Sequence, residues 1–155
     1  MKPWLRYGLI FGVAAGVATI VVNVLGSLNR PADICVTGKG NLTLTMSGLI
    51  LFLVIAGAAG WQTTRSGSKI SAGALAGLVT GAVSGLPVLV GFVLSLDLAI
   101  RAVHCPSAPR PIPPDATVRA IGVIVALVIV LIGMGVGAAA GAAGGALGEQ
   151  RKTAA

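Results

Sequence analysis

Four stretches without a charged residue alternate with shorter polar segments along the chain: Tyr7 to Asn29, Gly40 to Thr64, Ile70 to Leu96 and Ala120 to Gly148. Each is longer than the ~20 residues an α-helix needs to cross hydrocarbon. No water is present there to satisfy backbone N–H and C=O groups, so an apolar run of this length has to close its own hydrogen bonds as a helix. Strands of a membrane barrel would alternate in polarity over about ten residues, and these runs do not. The pattern predicts an all-α polytopic membrane protein: one membrane domain over 1–155, a four-transmembrane-helix bundle with spans at 5–28, 43–62, 70–99 and 118–145. The first run follows Lys2 and Arg6 as a signal peptide would, and Ala14 to Ala18 offer small residues for cleavage. Its apolar sequence continues through Ile20, Val24 and Leu28, beyond the ~15 residues of a usual signal core, so it is read as a span.

Glycine recurs at every fourth position inside these runs: Gly8, Gly12 and Gly16; Gly73, Gly77, Gly81 and Gly85; Gly133, Gly137, Gly141 and Gly145. Spacing by four puts each set on one helical face. Lipid tails are as apolar as leucine, so helices in a bilayer associate through close van der Waals contact, and a row of glycines lets two backbones approach. The ladders are therefore expected to be helix-packing surfaces, a glycine zipper. The block Gly8-Leu-Ile-Phe-Gly12-Val-Ala-Ala-Gly16 aligns with Gly77-Leu-Val-Thr-Gly81-Ala-Val-Ser-Gly85, and Ala-Gly-Ala-Ala-Gly occurs at both Ala56–Gly60 and Ala140–Gly144. This suggests two duplicated helical hairpins related by an axis near the membrane normal. With up-and-down spans, all the glycine-rich segments fall in the half that holds the two termini, which predicts a bundle pinched there and wider at the other end.

Composition agrees with lipid as the main solvent. The chain is 55% hydrophobic and 10% charged with mean hydropathy +0.97, where soluble domains carry about a quarter charged residues. The net charge of +7 does not indicate nucleic acid, because the eleven Lys and Arg stand singly at the edges of apolar runs. The expected partners are the lipid bilayer and either other membrane subunits or the chain itself. Lys2, Arg6, Arg65, Lys69, Arg151 and Lys152 lie toward one side, against Arg30, Lys39, Arg101, Arg110 and Arg119 toward the other. That bias favours both termini in the cytoplasm, with a bacterial cytoplasmic membrane as the location. Cys35 and Cys105 fall on the opposite, exported side, where a disulfide between them would persist. Only His104 accompanies them, so no metal site is expected. The segment from Cys105 to Asp115, with five prolines, should form an extended strap, and Asn41-Leu42-Thr43 is a glycosylation sequon at the edge of the second span.

Chemistry is sparse within the spans. Asp97 with Arg101 one turn later, and Asn23 at similar depth, form the candidate polar cluster, read as an interfacial ion pair with interhelical hydrogen bonding. Thr80, Ser84 and Ser95 are expected to bond back to helix carbonyls, Pro87 to kink the third helix, and Trp4, Tyr7 and Trp61 to anchor one interface. Walker, zinc-protease and nucleophile-elbow motifs are absent. Gly133-Met-Gly-Val-Gly137 mimics a dinucleotide fingerprint but lies in an apolar span without a preceding strand. No catalytic residue, cofactor or enzymatic activity is expected. The expectation is an accessory, structural or self-associating membrane component, the alternative a small channel or transporter with an outward vestibule lined by Asn23, Asp97 and the hydroxyls of the third helix.

Overall fold

A computed structural model describes residues 1–28, 42–103 and 114–153, with side chains described for all of these except 23, 26–28, 42–45, 94, 95, 97–99, 102, 103 and 151–153. Cys35, His104, Cys105, Asn41 and the proline-rich strap lie outside the described residues, as do the side chains of Asn23, Ser95 and Asp97.

The described chain forms four helices, α1 (Pro3–Leu28), α2 (Leu42–Arg65), α3 (Ile70–Val103) and α4 (Asp115–Thr153), each long and apolar enough to cross a membrane. The spans read from hydropathy fall inside these helices, and α3 and α4 overrun them, to Val103 and Thr153. Hydropathy marks the hydrocarbon boundary, whereas a helix ends only where its caps or turns end it. α1 begins on Pro3, whose missing N–H costs nothing in a first turn. α4 begins on Asp115, an acid at the positive end of the helix dipole, with the Pro114 carbonyl accepting from the N–H groups of Thr117 and Val118. α2 ends where Gly67 takes φ +95°, and the N–H of Gly67 donates to the Thr64 carbonyl at 3.1 Å. At ~1.5 Å per residue the 34 and 39 residues of α3 and α4 measure about 51 and 58 Å. Both exceed the ~30 Å thickness of a bilayer's hydrocarbon.

Going round the bundle the order is α1, α2, α4, α3, with α3 and α4 sharing the largest interface and α2 also touching α3. Among the described residues no Cα of α1 comes within 8 Å of one in α4. This corrects the expected axis. A two-fold relating the hairpins would make α1 with α4 equivalent to α2 with α3, yet only the second pair meets. The tight turn at 66–69 makes α2 and α3 neighbours, while no described residues connect α1 to α4. The hairpins instead lie side by side, like helix against like helix.

The interior is the reverse of a soluble core. Buried positions are Ala15, Ala56, Ala59, Ala76, Ala126, Thr63, Thr64, Thr80, Ser84 and glycines, with Leu96 the one large aliphatic side chain buried among the described residues. Large aliphatics face outward, among them Val13, Ile50, Val54, Ile124, Leu131 and Ile132, each more than half exposed. Water would penalise that surface heavily; lipid does not. The end of the bundle holding both termini and the 66–69 turn is called here the terminal end, and the opposite end the distal end.

Candidate functional site: the small-residue contact faces

α3 and α4 run antiparallel in one unbroken register. A Cβ built on Gly73 would stand 3.0 Å from the Gly141 carbonyl oxygen and 3.3 Å from Gly145 Cα. One on Gly77 would fall on the Gly137 carbonyl, and one on Gly81 would stand 2.8 Å from the Gly133 carbonyl oxygen and 2.9 Å from Met134 Cα. Farther on, Gly85 faces Val130 Cγ1 at 3.0 Å, and Gly122 faces the end of Leu96. Backbone meets backbone from Gly73 to Gly81, close enough for weak Cα–H···O contacts.

Parallel α1 meets α3 differently. Gly8 and Gly12 lie against Val79 and Val83, whose Cβ atoms would be 2.8 and 2.7 Å from an added methyl, while Gly16 meets the Pro87 ring at 3.4 Å, an ordinary contact. Here glycines form hollows that receive branched side chains. α3 continues as helix through Pro87. The buried Thr80 hydroxyl donates to the Ala76 carbonyl at 2.9 Å and also lies 3.3 Å from the Gly8 carbonyl across the interface. Ser84 donates back to Gly81 at 3.2 Å. The expected back-bonding thus holds at Thr80 and Ser84, with one bridge between helices added.

A reading for every fourth glycine passes over the α2–α4 face. Gly60 projects onto Gly141, Gly144 onto the Gly57 carbonyl, and Gly148 onto the Thr64 hydroxyl and Trp61 Cδ1, the last at 3.0 Å. The adjacent pair Gly144 and Gly145 divides its work, Gly144 toward α2 and Gly145 toward Ile70 of α3 and Thr64. Three-residue spacing, as in Gly57-Ala-Ala-Gly60, was the available signal, since i,i+3 positions also share a face. Thr63 and Thr64 are buried beside it and donate within their own helix, to the Ala59 carbonyl at 2.7 Å and the Trp61 carbonyl at 3.0 Å.

Closeness depends on the face a glycine occupies, since Gly133 and Gly135 lie level with the tight Gly81 and Gly77 contacts and yet face open space. Gly91, Gly133 and Gly135 have nothing within 4 Å of an added Cβ, and Gly48 only Val22 at 3.6 Å, whereas contacts at Gly8, Gly12, Gly60, Gly73, Gly77, Gly141, Gly144 and Gly148 are all closer than van der Waals distance. Distal to the Phe52–Gly137 contact, α2 presents exposed Met46, Leu49 and Ile50, and α4 exposed Leu127, Val128, Leu131 and Ile132. Between α1 and α2 opens a cleft of about 100 Å³ lined by Ala15, Ala18, Thr19, Val22, Gly48, Leu51, Phe52 and Ile55. Its hydroxyl, on Thr19, donates to the Ala15 carbonyl at 2.8 Å. The α3–α4 hairpin is packed at the distal end, where Gly122 gives Leu96 a hollow, and the cleft lies between α1 and α2.

Arg101 is exposed and near the distal end of α3; the Asn23 and Asp97 partners expected for it lie outside the described side chains. Trp4, Tyr7 and Trp61 are half-buried at the terminal end, with the Arg65 guanidinium 4.6 Å above the Trp61 ring. No protein-family model matches the chain, nor does any curated protein or solved structure.

Proposed function

We propose that this chain is a non-enzymatic integral membrane component, both termini cytoplasmic, that acts through association rather than chemistry. Its four helices form a membrane bundle zipped by glycine ladders, and it serves as a self-associating unit or an accessory subunit of a membrane assembly. The observation that carries this reading is the division of side chains by size: buried Ala, Gly, Thr and Ser inside, large aliphatics outside. Such a molecule suits lipid, where shape rather than hydrophobicity selects contacts, and its buried hydroxyls donate to carbonyls instead of pointing at a substrate.

The second reading, a small channel or transporter, draws on the opening between α1 and α2. That cleft is walled by apolar side chains, and its Thr19 hydroxyl is already bonded, so it offers an ion or polar solute little to replace water.

The test is to co-express two differently tagged copies, extract them in mild detergent and ask whether one tag recovers the other, alongside solute flux from liposomes bearing the purified chain. Co-recovery without flux supports the proposal. Monomers that pass a polar solute, with flux lost on Asp97→Asn or Asn23→Ala, would replace it with the channel reading.

A further inference from the structure

The terminal end concentrates positive charge in a way the packing does not use. Six cations belong to it, Lys2, Arg6, Arg65, Lys69, Arg151 and Lys152, against Glu149 as its carboxylate; elsewhere five cations are set against Asp33, Asp97 and Asp115. Lys2, Arg6, Arg65 and Lys69 are exposed and make no ion pair with a described carboxylate. Arg65 is held instead over the Trp61 ring at 4.6 Å, and Trp61 is itself seated against Gly148 of α4. Three residues, Ser66, Gly67 and Ser68, separate Arg65 from Lys69, across a turn that begins with the Ser66 N–H to Gln62 carbonyl bond at 3.1 Å and the Ser66 hydroxyl to Thr63 carbonyl bond at 2.6 Å.

We propose that the corner formed by Trp61, Arg65 and Lys69 binds the phosphate of an anionic phospholipid headgroup. The inference rests on the membrane placement above but not on self-association. A guanidinium stacked on an aromatic face loses little rotamer freedom when it meets a phosphate, and Arg recognises that group through a fixed fork of donors. An indole at the interface puts its ring at headgroup depth. Lys69, just beyond the turn that follows α2, supplies a second charge, and with no ion pair to a described carboxylate neither cation has one to surrender. Charge complementarity therefore selects an anionic over a zwitterionic lipid, with each cation near the surface expected to contribute about fivefold in affinity.

The full chain carrying Trp4→Phe, so that Trp61 is the one indole, would be purified in a neutral detergent and titrated with phosphatidylglycerol, phosphatidylcholine or inorganic phosphate while indole emission is followed. Phosphatidylglycerol should saturate the change at concentrations at least about tenfold below phosphatidylcholine, with inorganic phosphate inert at matched concentration. Arg65→Gln with Lys69→Gln should weaken phosphatidylglycerol by about thirtyfold, Lys69→Arg should not, and helicity by circular dichroism should be the same in all. Equal responses to the two lipids, or a double variant that binds as the parent does, would overturn the proposal. A response to inorganic phosphate matching that to phosphatidylglycerol would overturn the lipid assignment. Failure of the membrane reading would show separately, as chain released from the membrane fraction by alkaline carbonate, and it would remove this proposal with it.

Discussion

Gly77 of α3 and Gly137 of α4 face each other so closely that each carbonyl oxygen lies where the other residue's Cβ would project; for Gly137 that Cβ would stand 2.5 Å from the Gly77 oxygen. Both obstacles are backbone, which cannot rotate aside. Gly137→Ala or Gly77→Ala should therefore part α3 from α4 and destabilise the bundle by about 1–3 kcal/mol. Gly135→Ala, two residues away with nothing within 4 Å, should leave stability unchanged or slightly raised, because alanine is the better helix former by ~1 kcal/mol. Reversible unfolding in mixed detergent micelles measures both, and equal losses for the two sites would count against the contact geometry.

The α1 ladder should respond unevenly along its length. Gly12→Ala places a methyl 2.7 Å from Val83 Cβ, an atom as fixed as the backbone, whereas Gly16→Ala meets the Pro87 ring at 3.4 Å. A loss of about 1–3 kcal/mol is expected at Gly12 and less than about 0.5 kcal/mol at Gly16. The same unfolding assay decides it; a penalty at Gly16 as large as at Gly12 would mean that α1 approaches α3 more closely at that depth.

Thr80→Val removes a hydroxyl that reaches both its own helix and the Gly8 carbonyl while nearly conserving shape. Interhelical hydrogen bonds in membranes contribute about 0.6 kcal/mol on average and up to about 1.7, and a loss in that range is expected. Thr63→Val, whose hydroxyl bonds Ala59 within α2, should lose less. A double-mutant comparison of Thr80→Val with and without Gly8→Ala would reveal the shared interface as non-additivity.

The cleft between α1 and α2 should accept volume. Gly48→Ala would add a methyl 3.6 Å from Val22 Cγ1, an ordinary contact at the cleft wall. Its stability should equal or exceed that of the parent, the helix-propensity gain adding to new van der Waals contact. A measured loss above about 1 kcal/mol would show that the cleft is closed in the bilayer.

Much of the helix content was legible because the apolar runs are long and backbone bonding in lipid leaves no other choice. Helix ends were not, since Arg119 and Glu149 continue a helix as readily as they end a hydropathy peak. The ladders Gly73–Gly81 and Gly137–Gly145 could be read as one-sided faces from spacing alone, but Gly133, whose own hydrogen faces open space, has the same spacing as Gly137. The face made by Gly57 and Gly60, three apart, and by Gly144 and Gly148, four apart but out of phase with the Gly133–Gly145 ladder, was hidden because such pairs are hard to tell from chance in a chain with 23 glycines.

Read alone, then, the sequence was enough to specify four helices long and apolar enough to cross a membrane, and glycine spacings that place small residues on particular helical faces. Which face meets which helix was settled only in three dimensions: α1 on α3 through valines in glycine hollows, α3 on α4 through bare backbone, α2 on α4 through Gly57, Gly60, Gly144 and Gly148, and, among the described residues, α1 apart from α4. The reason is physical. In a soluble protein, polar and apolar residues label outside and inside along each element; in a membrane both sides of a helix see an apolar surrounding, and that label disappears. What remains is the shape match between backbones, a property of two helices together that neither segment carries alone.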